Sequence, residues 1–498
     1  MHSAKCLFVL VLVSLVGALQ NPHEEAAKFL KRSTPPESAE NNLRSSNGGL
    51  FLNQRTAKFA VKGNELPEVD FNIGESYAGT LPIDPPTVAN ANSLWFWFFP
   101  STNPAAKKEI VIWLSGGPGC SSLSAVLQGN GPFSWLSGTY KPVANAYSWN
   151  KLTNVIYVDQ PVGTGFSQGN ILVNNETEVA THFMGFWKNF VDTFSIQGYK
   201  IYITGESSSA MLENGNKTYF NVTGVQINDP VVNYPDTLQQ VPVVPALEKY
   251  KSVIGLDDTV VAGFKARADS CGYTTYHSRH TTNFPPTGPI PAPPSSASPG
   301  CSLWGEIVGT AFTANPCFNV YHLTDYCPYL WSELGYPFSG SGPSNYFNRS
   351  DVQRAIHAPR TNFFVCETKP NIFPATDQSL PSALGPLPSV IDHTKNVIIS
   401  HGLLDFLLFA DGSLITIQNM TWGGLQGFRT PLGSTFNFNV PNQANQGTTH
   451  SERGLTFVTV NLSGHFVLQY TPGAAYRQLE FLLGRISSLE QTGKFTTG

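Results

Sequence analysis

Two Gly-Glu-Ser strings stand in this 498-residue chain. A serine in that setting becomes a nucleophile when a sharp turn between a buried strand and a helix holds its hydroxyl outward. The first string, Gly74-Glu75-Ser76-Tyr77-Ala78-Gly79, runs into Thr80-Leu81-Pro82-Ile83-Asp84-Pro85-Pro86. Those prolines exclude a helix, so Ser76 has the wrong context. The second, Gly205-Glu206-Ser207, follows the apolar run Ile201 to Thr204. Asp405 and His465 come later in the chain, in the Ser, Asp, His order of α/β-hydrolases. Taken singly, Asp405 reads equally well as a turn residue and His465 as a buried structural histidine. Together with Ser207 they can supply a nucleophile, an orienting carboxylate and a general base. A third element is Trp113-Leu114-Ser115-Gly116-Gly117-Pro118-Gly119-Cys120-Ser121-Ser122. Its glycines let backbone N–H groups approach a ligand oxygen without Cβ interference, as half an oxyanion hole requires.

These residues need a rigid frame. Short runs rich in Val, Ile and aromatics lie at Ser93 to Phe99, Ile110 to Leu114, Val155 to Val158, Ile201 to Thr204, Gly224 to Ile227, Asn396 to Ile399 and Thr456 to Val460. Such runs suit strands buried on both faces. Helical patterns at Val179 to Phe194 and Tyr476 to Leu489 alternate with them. The expected fold is therefore α/β, a mostly parallel central sheet with helices on both faces. Residues 235–345 break the rhythm with a Pro/Ser-rich loop, Phe284 to Gly300, and four cysteines. This stretch reads as a disulfide-stapled cap insertion over the C-terminal ends of the strands, short of core of its own.

The N-terminus speaks to compartment. Lys5 precedes the apolar run Cys6 to Leu19, the length of a signal-peptide core and short for a membrane span, ending in Val16-Gly17-Ala18. Residues 1–18 are thus expected to be a signal peptide, with a membrane anchor the alternative. Residues 19–55 are expected to be a flexible or propeptide segment, and 56–490 the hydrolase domain. Lys31-Arg32 reads either as a dibasic processing site or as a charged pair on a short helix. Asn175, Asn216, Asn221, Asn348, Asn419 and Asn461 open N-glycosylation acceptor strings. With Cys6 removed, Cys120, Cys271, Cys301, Cys317, Cys327 and Cys366 are even in number, as disulfides require, and none has the paired spacing of a zinc site. Spacing leaves their connectivity open. A net charge of -4 without a long basic run argues against nucleic acid binding. No cofactor or metal is expected, no later stretch is apolar enough to span a bilayer, and the mature chain is expected outside the cell or in a vacuole.

The glycine-rich loop, Val158-Asp159-Gln160-Pro161-Val162-Gly163-Thr164-Gly165-Phe166-Ser167, Gly205-Glu206-Ser207, Gly402 to Asp405 and Gly464-His465 occur in this order. In these motifs, and in Asn315-Pro316-Cys317-Phe318-Asn319 and Tyr346-Phe347-Asn348-Arg349, the chain resembles the serine carboxypeptidase family over roughly residues 60–490. The resemblance implies a nucleophilic Ser207, a general base His465, an orienting Asp405, and oxyanion donors on the backbone of Gly117 and Ser208. It implies peptide C-termini as substrate and a long-range Cys120–Cys366 disulfide. Cys271–Cys327 with Cys301–Cys317 is then a working assumption for the rest.

Departures from the family pattern cluster at the site. Ser207 is followed by Ser208-Ser209-Ala210-Met211-Leu212-Glu213-Asn214-Gly215, where the family's long helix is shortened. Asn214-Gly215 is a helix stop. The elbow would lose packing, and a misplacement of about 1 Å costs ~100-fold in rate. The abrupt gap between family-like stretches is also the pattern of a mis-joined exon. The substrate carboxylate falls to Ser115, Gly116 and Glu206. Ser115 replaces the family's Asn, and Gly129 stands where the first of two proton-sharing Glu residues belongs. Without that partner, Glu206 is expected to be charged more often and to repel a carboxylate. Phe466 and Leu468 replace the usual Met and Pro. An inactive binding homologue and an acyltransferase or esterase are the competing readings.

Overall fold

The strand Glu109–Leu114 is buried along its whole length, and its side chains alternate between two cores. Val111 and Trp113 join one cluster with Trp149, Tyr157 and Tyr476. Ile110, Ile112 and Leu114 join another with Phe96, Trp187 and Ile399. A strand with no solvent face has no polar alternation to keep, which is why the run reads as continuously apolar. The computed structural model describes residues 49–84, 92–117, 119–136, 139–170, 173–207, 216–325, 345–366, 379–432 and 437–497, within the compact unit Gly48–Thr497.

Ten strands form the main sheet: β1 Ala60–Val61, β2 Ser76–Pro82, β3 Ser93–Phe99, β4 Glu109–Leu114, β5 Asn154–Asp159, β6 Lys200–Glu206, β7 Val222–Asn228, β8 Val397–Gly402, β9 Gly447–Glu452 and β10 Leu455–Val460. Their order is β1-β2-β3-β5-β4-β6-β7-β8-β10-β9. The centre, β5-β4-β6-β7-β8-β10, is parallel, and antiparallel strands flank it. The chain is therefore an α/β-hydrolase fold, with the glycine loop, Ser207, Asp405 and His465 each following the C-terminal end of a central strand. Ser76 sits inside β2, buried, its Oγ accepting from Trp97 Nε1 at 3.2 Å, not on an elbow.

Helix Glu176–Phe194 starts where the Asn175 side chain accepts from Glu178 N–H at 2.9 Å and ends at Ser195 in the left-handed region. Its Phe186, Phe190 and Phe194 pack on β3, with Phe96 and Phe190 ring centroids 5.3 Å apart. The last helix is Pro472–Leu482, one turn earlier than the Tyr476 to Leu489 pattern. Proline is at home in a first turn, where its missing N–H costs nothing, and Gly484 with φ +68° follows the end. Phe51, assigned from composition to the flexible segment, packs its ring 5.1 Å from that of Phe98.

The insertion carries helices Val241–Ile254, Asp258–Cys271, Tyr273–Thr282 and Trp304–Ala314. Its core is shared: Leu247, Phe264, Ile307 and Phe318 pack with Leu404, Phe406 and Phe409, which follow β8. Leu323 N–H donates to Leu404 O at 3.0 Å, and His465 N–H donates to Tyr321 O at 2.7 Å. The insertion is thus joined to the strand ends by backbone hydrogen bonds. Among the described residues no helix is long and apolar enough to cross a membrane. Residues 1–48, Ser208 and Cys327 lie outside the described residues.

Candidate active site

Strand β6 is buried from Ile201 to Glu206, and Ser207 follows it with φ +66°. A non-glycine residue in the left-handed region is strained and persists where its surroundings hold it. Here the hold comes from β7. Ser207 N–H donates to Asn228 O at 3.0 Å, and Ser207 O accepts from Val231 N–H at 2.5 Å. The shortening expected after Ser207 falls on residues 208–215, outside the described residues.

Asp405 and His465 follow β8 and β10. His465 Nδ1 lies 2.8 Å from Asp405 Oδ2, and both side chains are buried. Asp405 Oδ1 accepts from Leu407 N–H at 2.7 Å and Leu408 N–H at 3.2 Å. Burial works against a charged His465 ring, but the Asp405 charge and hydrogen bond, with Glu206, raise its pKa above the ordinary value. Among the described residues no hydrogen bond joins Ser207 Oγ to His465 Nε2. Such a contact commonly tightens when substrate binds.

The glycine loop is braced by a residue to which the sequence reading assigned no role. Asp159, at the end of β5, accepts from Ser121 Oγ at 2.7 Å, Ser122 N–H at 2.9 Å and Phe166 N–H at 3.0 Å. Burial pushes its carboxyl up to about 6 against those donors. Gly117 has φ +118°, and a Cβ there would stand 2.9 Å from Gly119 N and 3.2 Å from Cys120 Sγ. Only glycine fits without displacement, and that leaves the backbone open to a ligand.

Ser115 is buried, its N–H donating to Ser122 Oγ at 3.1 Å and its Oγ accepting from Trp113 Nε1 at 3.2 Å. Gly116 is buried beside it. At Gly129 an added Cβ would meet Ala125 O at 3.0 Å and Leu468 Cβ at 3.1 Å. The substitutions at 129 and 468 thus fill one space. The expectation of a charged Glu206 is overturned. Its carboxyl is pushed up to about 8, first by burial and further by the Asp405 charge, against the opposing pull of His465. Desolvation does what the absent partner carboxylate would have done.

The sequence profile described as serine carboxypeptidase matches residues 67–484. The chain belongs to the serine carboxypeptidase family. A carboxypeptidase Y homolog of Arthroderma benhamiae is 47% identical over 89% of this chain and 90% of its own. Serine-type carboxypeptidase F of Aspergillus niger is 38% identical over 88% and 89%. Among solved structures, a prohormone-processing carboxypeptidase of Saccharomyces cerevisiae superposes with TM-score 0.66 at 21% identity, covering 86% of this chain and 96% of the other, a likeness of fold. In this serine carboxypeptidase Cys120 is bonded to Cys366, tying the glycine loop to a segment 246 residues away. The assumed Cys271–Cys327 and Cys301–Cys317 pairs are corrected: Cys271 is bonded to Cys301. That bond encloses the helix Tyr273–Thr282 together with the Pro-rich loop, a proximity no spacing rule encodes. Cys317 is disulfide-bonded as well.

Proposed function

We propose that this serine carboxypeptidase removes C-terminal residues from peptides through an acyl-enzyme on Ser207. The observation that carries the reading is the buried His465–Asp405 pair, at 2.8 Å, on strand ends next to the strained turn at Ser207. Ser207 Oγ attacks the last peptide carbonyl while His465 Nε2 takes its proton, and Asp405 holds the ring and stabilises its charge. The carbonyl oxygen becomes an oxyanion received by the backbone N–H groups of Gly117 and Ser208. The C–N bond breaks as His465 returns the proton to the leaving amine. Water then attacks the ester by the reverse proton path, and Ser207 is restored.

Specificity for a free C-terminus is assigned to Glu206, with Ser115 and Gly116 beside it. A carboxyl held neutral donates a hydrogen bond to a carboxylate, whereas an ionised one repels it. Secretion, or delivery to a vacuole, follows from the leader at 1–18 and the six glycosylation strings. An active-site fluorophosphonate should label Ser207, and Ser207→Ala should abolish labelling. No labelling of the folded protein would overturn the reading in favour of a binding homologue.

The filled space at Gly129 and Leu468 favours one second reading. With a single carboxyl at the site, an acyltransferase or esterase on the same scaffold would hydrolyse esters and leave peptides with free C-termini intact.

A further inference from the structure

Asp229 is the first residue after β7, in Asn228-Asp229-Pro230, and its φ of +43° marks a held conformation. It is fully buried, and its N–H donates to Ser400 O at 2.7 Å. Its Oδ1 accepts from Gly402 N–H at 2.9 Å and lies 3.4 Å from His401 Nδ1. Its Oδ2 is buried and, among the described residues, meets no N–H or hydroxyl donor. A carboxyl oxygen of Asp229, one of Asp405 and a ring nitrogen of His465 lie within 4.8 Å of one another.

Two carboxylates this close in a buried site do not both ionise; one keeps a proton, and the pair shares it as a hydrogen bond. The surrounding groups decide which. Asp405 accepts two backbone N–H groups and faces His465. Asp229 has a single backbone donor. Its neighbour His401 brings no positive charge, since burial pushes that ring down to about 3 and its Nε2 is held by Ser413 Oγ at 2.7 Å. The ionisable groups facing Asp229 are Asp405, Glu206 and His465; the Asp405 charge favours a neutral Asp229, and Glu206 adds to this only where it ionises. Burial acts the same way.

We propose that Asp229 is a positioning residue, a neutral carboxylic acid whose hydroxyl donates to Asp405 and fixes the carboxylate that orients His465. The inference rests on the roles assigned above to Ser207, Asp405 and His465. It adds a second carboxyl behind the first, so that a shift of Asp229 moves Asp405 and, through it, the imidazole.

The test combines an NMR titration with kinetics. In protein carrying Ser207→Ala and Glu206→Gln, so that Glu206 cannot titrate, the downfield Nδ1–H resonance of His465 should show its own titration and a second, alkaline displacement as Asp229 ionises. Asp229→Asn should abolish the second step, because the amide never ionises. In the active enzyme, Asp229→Ala should lower kcat about 100-fold with little change in KM, the cost of a displaced base. Asp229→Asn should recover about tenfold of that loss, because its amide N–H still donates to Asp405. Superimposable titrations of the parent and Asp229→Asn proteins would overturn the proposal, as would equal impairment by Asn and Ala. The NMR arm does not depend on turnover, so it separates failure of this inference from failure of the catalytic reading. If Asp229→Ala does not fold, the Asn titration decides alone.

Discussion

Replacing Glu206 by Gln should stabilise this protein in a pH-dependent way, because the fold keeps a carboxyl neutral that water would ionise. The carboxyl moves from an ordinary 4.5 to about 8 on folding, with burial the main cause. Below pH 4.5 the folded and unfolded chains both hold the proton, and the site contributes no difference. As pH rises, the unfolded chain ionises first and gains relative to the folded one. At pH 7 the fold is penalised by about 3 kcal/mol, at roughly 1.4 kcal/mol for each pH unit above 4.5. The penalty levels off at about 5 kcal/mol once the pH passes about 8 and both states are ionised. The uncharged amide of the Glu206→Gln variant carries no such penalty. Urea unfolding with disulfides intact, at pH 4 and pH 7, should show the Glu206→Gln advantage growing by about 3 kcal/mol between them. An advantage equal at both pH values would refute the reasoning, since Glu206 would then be ionised in the fold. The kinetic counterpart has the same sign. KM for peptides with a free C-terminus should rise above pH 8 in the parent enzyme and stay level there in Glu206→Gln.

Three further outcomes follow from the same geometry. Gly117→Ala should cut kcat about 100- to 1,000-fold by displacing one oxyanion donor and should also lower the unfolding midpoint, because φ +118° is strained for a residue with a Cβ, read by steady-state kinetics and thermal unfolding. Removing the Cys120–Cys366 bond with paired serines should cost 2–5 kcal/mol, roughly what closing a long loop contributes, and should loosen the glycine loop enough to lower kcat/KM. Arg477 is buried against Glu480 at 2.8 Å and donates to the carbonyls of Gln491, Gly493 and Lys494. Arg477→Met strands a buried Glu480 and should cost about 3–5 kcal/mol, with faster hydrogen exchange at Gln491 to Lys494.

The fold was largely legible because its central strands are buried on both faces. The side chains of Ile110, Val111 and Ile112 needed no polar partner, so the run announced itself. The Ser207, Asp405 and His465 positions were legible because each sits in a short local string beside a strand end. Features that depend on three-dimensional proximity were not. Asp159 lies in a motif that carries no role for it and Asp229 in none, and only the packing of β5 on the glycine loop and of β7 on β8 reveals their partners. The state of Glu206 depends on depth of burial, a quantity that no neighbour in sequence reports. The Cys271–Cys301 bond depends on how the Pro-rich loop returns, and the early start at Pro472 on tolerance of proline in a first turn.

The most direct test of the central claim is a timed mass spectrum of a peptide with a free C-terminus, incubated with the parent protein and with Ser207→Ala. The parent should yield a ladder shortened one residue at a time from the C-terminus only, slowed sharply when that terminus is amidated and absent with Ser207→Ala. Internal cleavage, a ladder that survives Ser207→Ala, or an intact peptide after incubation with folded parent protein would contradict it.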